Sequence, residues 1–279
     1  MSDQGLNPSK NPVILCTAGY DHTIRFWEAL SGMCIHTVQH PESQVNSLAI
    51  SPDKRFVIAA GNPHIRMYDI TQSATSGPVK HIAIYIIGAS KRMFSNVYRT
   101  PKCQRDYEHK GPVNHTVLHP NQGELISCDQ LGKEDVSVNC VSVASDGSFL
   151  VAANNHGYCF VWKMSNGQDS TDLQPITRIH AHDTYVTKCV LSPDVKKLAT
   201  SSADGTIKIW ATDSFLHEKT LVGHQKWVWD CSFSADSVYL ISASSDQTAR
   251  LWDLQTGDTI RQYVGHNKAL TCVALNDLP

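Results

Sequence analysis

Apolar and polar residues alternate along several short runs of this 279-residue chain, for example TIKIW at 206–210 and TARLW at 248–252. Side chains two residues apart in an extended chain point the same way, so this alternation predicts β-strands that bury one face. Each run follows another apolar run across a short turn, which predicts antiparallel hairpins. There is almost no signal for helices, and the pattern therefore predicts an all-β protein.

Three of these hairpins superimpose without a gap: residues 15–29, 198–212 and 240–254. In each, an aspartate lies six residues before a tryptophan, and a hydroxyl residue lies four residues before the aspartate. A weaker copy at 150–164 has His156 in place of the aspartate, and a degenerate copy at 56–70 has Tyr68 in place of the tryptophan. The chain is therefore built from internal repeats.

A second block, a histidine followed by a strand, precedes the copies, as in GHQKWVWDCSFSAD at 223–236. Corresponding aromatic residues are 41 positions apart from Trp27 to Tyr68 and 42 apart from Trp210 to Trp252. A period of about 40 residues with GH and WD punctuation is typical of WD40 repeats, each of which forms a four-stranded propeller blade. The sequence therefore predicts a WD40 β-propeller.

The recurring histidine, hydroxyl residue and aspartate have the composition of a catalytic triad. A set that recurs three times in one chain is better explained as architecture, in which these side chains hydrogen-bond across one blade and a buried indole N–H is the last donor. The expected members of this blade network are Thr17, Asp21, Trp27, His182, Thr200, Asp204, Trp210, His224, Ser242, Asp246, Trp252 and His266. We therefore expect no catalytic residues and no enzymatic activity.

The two ends of the repeat pattern complement each other. The strand predicted at 269–276 has no Asp–Trp hairpin after it, whereas the first hairpin lacks a histidine that His266 can supply. We therefore expect 269–276 to pair with the first blade and close the ring, which removes exposed sheet edges. Residues 1–11 are expected to be a disordered lead, and residues 12–279 a single propeller domain.

The repeat fails between Tyr68 and Trp162, a distance of 94 residues without a tryptophan. Residues 80–102 contain no Asp turn. One interpretation is a divergent but intact ring. The other, which we favour, is a seven-bladed parent that has lost about one blade of sequence, with about five intact blades and a disrupted region near 80–135. A blade cannot bury its faces without both neighbours, so this region is expected to be the least ordered.

Composition and motifs exclude several function classes. The formal net charge of −2 provides no basic surface for nucleic acid, and no apolar run is long enough to cross a membrane. The nine cysteines form no CxxC pair and most lie in strand-like runs, so we expect reduced core residues of a cytoplasmic protein rather than metal ligands. No HExxH, phosphate-binding loop or nucleophile elbow is present, and no cofactor is expected.

Five strings stand out once the repeats are placed: PVILCTAGYDHTIRFWEALSG at 12–32, SQVNSLAISPD at 43–53, HIRMYDI at 64–70, HPNQGELIS at 119–127 and GHQKWVWDCSF at 223–233. They closely resemble the G-protein-β-subunit-like, lethal-with-Sec-thirteen-type WD proteins of the TOR kinase complexes. The resemblance covers 12–79, 103–130 and 139–276, and it departs from the family at 80–102 and 131–138.

The resemblance implies a seven-bladed propeller without enzymatic activity. It further implies a scaffold that binds and stabilises the catalytic domain of the TOR kinase, within both TOR complexes, in the control of growth by nutrients. The expected partners are this domain and other subunits of the complexes, without nucleic acid and without membrane insertion. The expected location is the cytoplasm, with recruitment to endomembranes through the kinase complex.

Trp227 and Trp229 lie two residues apart where a loop becomes an inner strand. When the blades are overlaid on the inner-strand valine, Trp227 matches Tyr185 in the preceding blade. The residues that match Trp229 are small or polar, unlike those of a core position, and they are Asn46, Asn114, Asn139, Thr187 and Thr271. We therefore expect Trp229 on an exposed rim, and Trp227 either there or packed within its blade. Exposed aromatic residues amid polar groups are typical of protein-binding hot spots.

The resemblance implies that Gln44, Asn46, Trp227 and Trp229 face the kinase. Asn114 and Asn139 either extend this surface or are simply solvated. The alternative function is a general WD40 adaptor, such as a substrate receptor of a cullin-type ubiquitin ligase. Such receptors usually carry an arginine shortly after the repeat tryptophan, and the corresponding strings here, WEAL, YDIT, WKMS, WATD and WDLQ, contain none.

Overall fold

The computed structural model describes residues 13–41, 45–50, 56–61, 65–69, 113–118, 120, 125–129, 136–166 and 171–276. These residues form 21 β-strands and no helix, and the strands are arranged in six antiparallel sheets. We number the sheets as blades 1 to 6.

Four blades have four strands each. Blade 1 contains β1 (Ile14–Gly19), β2 (Thr23–Glu28), β3 (Cys34–Gln39) and the distant β21 (Leu270–Asn276). Blade 4 contains β9 (Val138–Val143), β10 (Phe149–Asn154), β11 (Tyr158–Asn166) and β12 (Thr171–His180). Blade 5 contains β13 (Val186–Leu191), β14 (Lys197–Ser202), β15 (Ile207–Ala211) and β16 (His217–Leu221). Blade 6 contains β17 (Val228–Phe233), β18 (Tyr239–Ser244), β19 (Thr248–Asp253) and β20 (Thr259–Val264).

Two sheets are smaller within the described residues. Blade 2 contains β4 (Val45–Ile50), β5 (Phe56–Gly61) and β6 (Ile65–Asp69). Blade 3 contains β7 (Val113–Leu118) and β8 (Leu125–Asp129). The three hairpins that superimpose in the sequence correspond to β1–β2 of blade 1, β14–β15 of blade 5 and β18–β19 of blade 6.

Six inner strands contact one another in the order β7, β9, β13, β17, β21 and β4. This arrangement, with four complete blades and a three-stranded fifth, confirms the predicted all-β WD40 propeller. Residues 70–112, between blades 2 and 3, lie outside the described residues. Most of the disrupted region expected near 80–135 falls there, and β7 and β8 are its described strands.

The hydrophobic core lies largely between neighbouring blades rather than within them. Between blades 6 and 1, for example, Leu15 and Trp27 pack in one cluster with Ile241, Leu251 and Tyr263. Burying a large apolar side chain completely contributes about 1.5–3 kcal/mol, so each blade depends on its neighbour for much of its stability.

Blade 1 combines strands from opposite ends of the described chain. β21 pairs with β1, from Ile14 opposite Asn276 to Gly19 opposite Leu270. The side chain of His266 lies 2.8 Å from both Thr17 Oγ1 and Asp21 Oδ2, and Trp27 Nε1–H donates to Thr17 Oγ1 at 2.8 Å. The first blade is therefore completed by residues almost 250 positions away in the sequence.

The same four-residue network is complete in blades 5 and 6. In blade 5, His182 Nδ1 lies 2.8 Å from Asp204 Oδ2, and Thr200 Oγ1 contacts His182 Nε2 and Trp210 Nε1, each at 3.0 Å. The equivalent distances in blade 6 are 2.7 to 2.9 Å among His224, Asp246, Ser242 and Trp252. A carboxylate only accepts hydrogen bonds, so each aspartate orients its histidine with Nδ1–H as donor.

The aspartates of these networks are held in their charged form. Burial alone would raise the pKa of Asp204, but hydrogen bonds from His182 and Thr206 lower it to about 2. The same balance of burial against hydrogen bonds lowers the pKa of Asp21 and of Asp246 well below 3.8. The networks therefore contribute stability at neutral pH.

The two degenerate repeats use other groups. In blade 2, His40 Nδ1 lies 3.0 Å from the hydroxyl of Tyr68, which takes the place of the indole. In blade 4, Asn154 Oδ1 accepts the backbone N–H groups of His156 and Tyr158 and thus orders the turn that elsewhere carries aspartate. His40 and Asn154 are blade residues that the sequence comparison did not identify, although His40 lies 28 residues before Tyr68, the spacing that separates His182 from Trp210.

Seven of the eight cysteines among the described residues are buried, only Cys34 is exposed, and none of the eight forms a disulfide. In the same part of the chain no group of three or more histidine, cysteine, aspartate or glutamate side chains is arranged to hold a metal ion. No helix long and apolar enough to cross a membrane occurs within the described ranges.

Candidate protein-interaction surface

Three aromatic side chains form a continuous cluster at the start of the inner strands of blades 5 and 6. Trp227 is 43% exposed and its ring centroid lies 5.3 Å from that of the half-buried Trp229. Tyr185, 48% exposed, also stacks on Trp227, with centroids 5.9 Å apart and an interplanar angle of 25°. We call Tyr185, Trp227 and Trp229 the aromatic surface.

Trp229 owes its orientation to an irregularity in its strand. The pairing of β17 with β18 shifts between Val228 and Asp230, which leaves Trp229 as the bulged residue. Its indole Nε1–H donates to Ser245 Oγ at 2.6 Å, and the backbone N–H of Ser245 donates to the carbonyl of Trp227 at 2.9 Å. The two indoles are therefore tied to one turn of their own blade.

A depression of about 560 Å³ opens beside the indoles. Besides the two tryptophans it is lined by Ala203, Asp204, Gln225, Lys226 and Ser245. The depression thus combines aromatic walls with charged and hydrogen-bonding groups at its edge, which is the usual composition of a protein-binding hot spot and its rim.

At the position of Trp229, other blades form a bond to the next blade. Asn114 Nδ2 donates to the Val138 carbonyl at 2.8 Å, and Asn139 Nδ2 donates to the Val186 carbonyl at 2.9 Å. The hydroxyls of Thr187 and Thr271 likewise donate to the carbonyls of Val228 and Val45. We call these four contacts seam bonds, because each joins the inner strands of two neighbouring blades.

Trp229 differs from these four residues. Its N–H bonds within its own blade, and its ring joins the aromatic surface. The amides of Asn114 and Asn139, which the sequence analysis considered as an extension of the surface, are engaged in seam bonds. Asn46 is exposed at the same position of blade 2, and Gln44 lies outside the described residues.

Sequence reasoning placed Tyr185 opposite Trp227 in the overlay of blades but did not assign it to the surface. Its stacking with Trp227 joins two blades, and an overlay of repeats carries no information on contacts between them. The available signal was the aromatic residue shared by consecutive blades at this one position.

Comparison with known proteins agrees with the fold. The WD domain, G-beta repeat family matches residues 32–69, 130–163, 173–211 and 216–253. The chain is 53% identical to target of rapamycin complex subunit wat1 of Schizosaccharomyces pombe, over 97% of this chain and 98% of the relative. It is 48% identical to target of rapamycin complex subunit LST8 of Saccharomyces cerevisiae, over 95% and 99%, and 41% identical to LST8 of Bos taurus, over 96% of each.

The alignment with the S. pombe relative also contains positions that this chain lacks. The alignment with the S. pombe relative has 306 positions, 27 more than the 279 residues of this chain, so at least 27 of its positions are gaps here. None of the four matched WD segments includes residues 70–129.

Because relatives of this similarity span nearly the whole of both sequences, the chain belongs to the LST8/wat1 family of WD40-repeat proteins.

Proposed function

We propose that this protein is a non-catalytic scaffold subunit that binds and stabilises the catalytic domain of a TOR kinase, as part of TOR complexes in growth and nutrient signalling. The relatives are named as target of rapamycin complex subunits, which supports an assembly of this kind. The observation that carries the proposal is the arrangement of Trp229. Its indole N–H bonds within its own blade instead of forming a seam bond, and its ring lies in an exposed aromatic surface.

The proposed mechanism is linkage. A subunit that binds only the folded kinase domain lowers the free energy of that state, by an amount that rises with the logarithm of the ratio of its concentration to its dissociation constant. The aromatic surface supplies apolar area from rigid side chains, which lose little conformational entropy on binding. Asn46 and Gln44 are proposed to add directional hydrogen bonds to the same partner, with Asn114 and Asn139 at the edge of the contact.

The test is capture of the TOR kinase catalytic half by the purified chain and by its Trp227→Ala/Trp229→Ala variant. We expect the parent to capture the kinase domain and the double variant to lose capture, because truncating central aromatic hot-spot residues costs about 2–4 kcal/mol each. Circular dichroism and thermal unfolding of the isolated variant check that the ring is retained.

Tyr239→Ala is the matched control. Tyr239 is 37% exposed and begins β18, at the end of blade 6 opposite Trp227 and Trp229. The Tyr239→Ala variant should bind the kinase domain as the parent does. Undiminished capture by a folded Trp227→Ala/Trp229→Ala variant would exclude this surface as the contact, and failure of the parent itself would reject the proposed partner.

A further inference from the structure

Asp230, the residue after Trp229, holds β17 to the strands on both sides of it. One carboxylate oxygen, Oδ2, accepts the backbone N–H of Val273 in β21 at 3.1 Å. The other, Oδ1, accepts the N–H of Cys231 at 3.0 Å and lies 3.5 Å from Nζ of Lys188 in β13. A single side chain therefore links blades 5, 6 and 1.

The link from Asp230 to β21 stands where a seam bond is missing. Thr187 makes a seam bond from blade 5 to blade 6, and Thr271 makes one from blade 1 to blade 2. Between them, from blade 6 to blade 1, the position is held by Trp229, whose N–H stays within blade 6. The bond from Val273 N–H to Asp230 thus restores a polar contact at the seam that Trp229 leaves without one.

Lys188 fixes the carboxylate from the opposite side. Lys188 and Asp230 occupy the same register position, each directly after the bulge of its inner strand. The charge of Asp230 raises the pKa of Lys188 against the opposing effect of burial, so the lysine is charged at neutral pH. Its Nζ also lies 3.3 Å from Nε2 of His115 in blade 3, two blades away in the ring. We call His115, Lys188 and Asp230 the channel clasp.

We infer that Asp230, oriented by Lys188, is the positioning residue that fixes Trp229 for its partner. The inference rests on the proposed function. The indole of Trp229 is held by its bond to Ser245 and by its contact with Trp227, whereas the channel clasp holds the backbone immediately after Trp229. Without the clasp β17 is free to shift against β21, and the indole with it.

The experiment compares Asp230→Asn and Lys188→Met with Lys219→Met as matched control. Like the contact of Lys188 with Asp230, Lys219 joins blade 5 to blade 6. It lies on β16, and its Nζ donates to the carbonyls of Leu254 and Gln255 at 3.2 and 2.6 Å. Affinity for the TOR kinase catalytic half and the thermal midpoint are measured for each variant. Fluorine NMR of protein labelled with 5-fluorotryptophan, with the Trp229 signal assigned by Trp229→Phe, reports the indole environment without the kinase.

We expect Asp230→Asn and Lys188→Met to shift the Trp229 signal and to weaken kinase binding about tenfold, because binding constellations tolerate only small displacements. Lys219→Met should lower the thermal midpoint to a similar extent with parental affinity and an unshifted Trp229 signal.

An unmoved Trp229 signal in both clasp variants, or an affinity loss no larger than that of Lys219→Met, overturns the inference. If Trp229→Phe and Trp229→Ala both bind as the parent does, Trp229 is excluded as a kinase contact, and failure of the parent to bind rejects the proposed function; in either case the fluorine signal alone still decides whether the clasp positions the indole. Should Asp230→Asn not fold, Lys188→Met decides alone.

Discussion

Tyr185 enlarges the aromatic surface from one blade to two. Its ring is nearly parallel to that of Trp227 and half of it faces solvent, so a partner that covers the tryptophans would also meet the tyrosine. Stacked aromatic pairs contribute about 0.5–1.5 kcal/mol beyond the area they bury. The stack therefore both supports Trp227 and offers further apolar area.

We predict that Tyr185→Ala weakens binding of the kinase domain about three- to tenfold, corresponding to the loss of one stacked pair. Tyr185→Phe keeps the ring and should bind within twofold of the parent, since the stack rather than the hydroxyl is at work. Titration calorimetry with the three proteins distinguishes the two substitutions. A Phe variant as weak as the Ala variant would assign the effect to the hydroxyl.

At this scale the sequence was informative about side chains with recurring spacing and silent about bonds to the backbone. Trp229 stood out because its counterparts are polar. The reason they are polar, a seam bond from Asn139 or Thr187 to a main-chain carbonyl, could not be predicted, because every residue has a carbonyl and no side-chain pattern marks the acceptor. The sequence therefore leaves Asn114 and Asn139 with two interpretations, an extension of the partner surface or solvation, and does not indicate the carbonyls to which their amides donate.

Single blades were the most predictable elements. The histidine, hydroxyl residue, aspartate and tryptophan of a blade are all side chains on one repeating unit, so their network follows from spacing alone. Contacts between blades have no such signature: Lys219 of blade 5 reaches the turn after β19 of blade 6, and Arg261 of blade 6 donates to the Ser31 carbonyl of blade 1 at 2.7 Å. Both basic residues reach backbone carbonyls that the sequence does not single out.

We predict that Thr200→Val destabilises the protein by about 1–3 kcal/mol, because the shape is kept while the buried Trp210 N–H loses its acceptor. Urea unfolding followed by tryptophan fluorescence measures the difference. Thr177→Val, exposed on β12, replaces the same residue type without burial and should change the free energy of unfolding by less than about 0.5 kcal/mol.

For the whole molecule, charge makes stability depend on pH in two separate windows. The pKa of each network aspartate lies below its value of 3.8 in the unfolded chain, so the unfolded state takes up protons first and their stabilisation is lost as the pH falls below about 4. Burial, followed by the charge of Lys188, lowers the pKa of His115 from 6.5 to about 4. The unfolded state therefore binds this proton first as well, and the free energy of unfolding decreases as the pH is lowered from 6.5 to about 4.

We predict that His115→Gln removes part of the stability loss between pH 6.5 and 4, because the variant has no group to protonate there. Below pH 4 the parent and the variant should lose stability in parallel as the aspartates titrate. Urea midpoints at pH 7, 5.5, 4 and 3 test this. Curves that remain parallel from pH 7 to 4 would show that His115 is not the group responsible.

The pairing of β1 with β21 also has a consequence for biosynthesis. β1 leaves the ribosome some 250 residues before its partner, and at about 5–20 residues per second that interval is roughly 10 to 50 seconds. Throughout it, β1 lacks the strand that pairs with it, and Thr17 and Asp21 lack their contacts with His266. We therefore expect the first hairpin to keep an open edge while the rest is synthesised, and the order of synthesis makes blade 1 the last of the described blades to be completed.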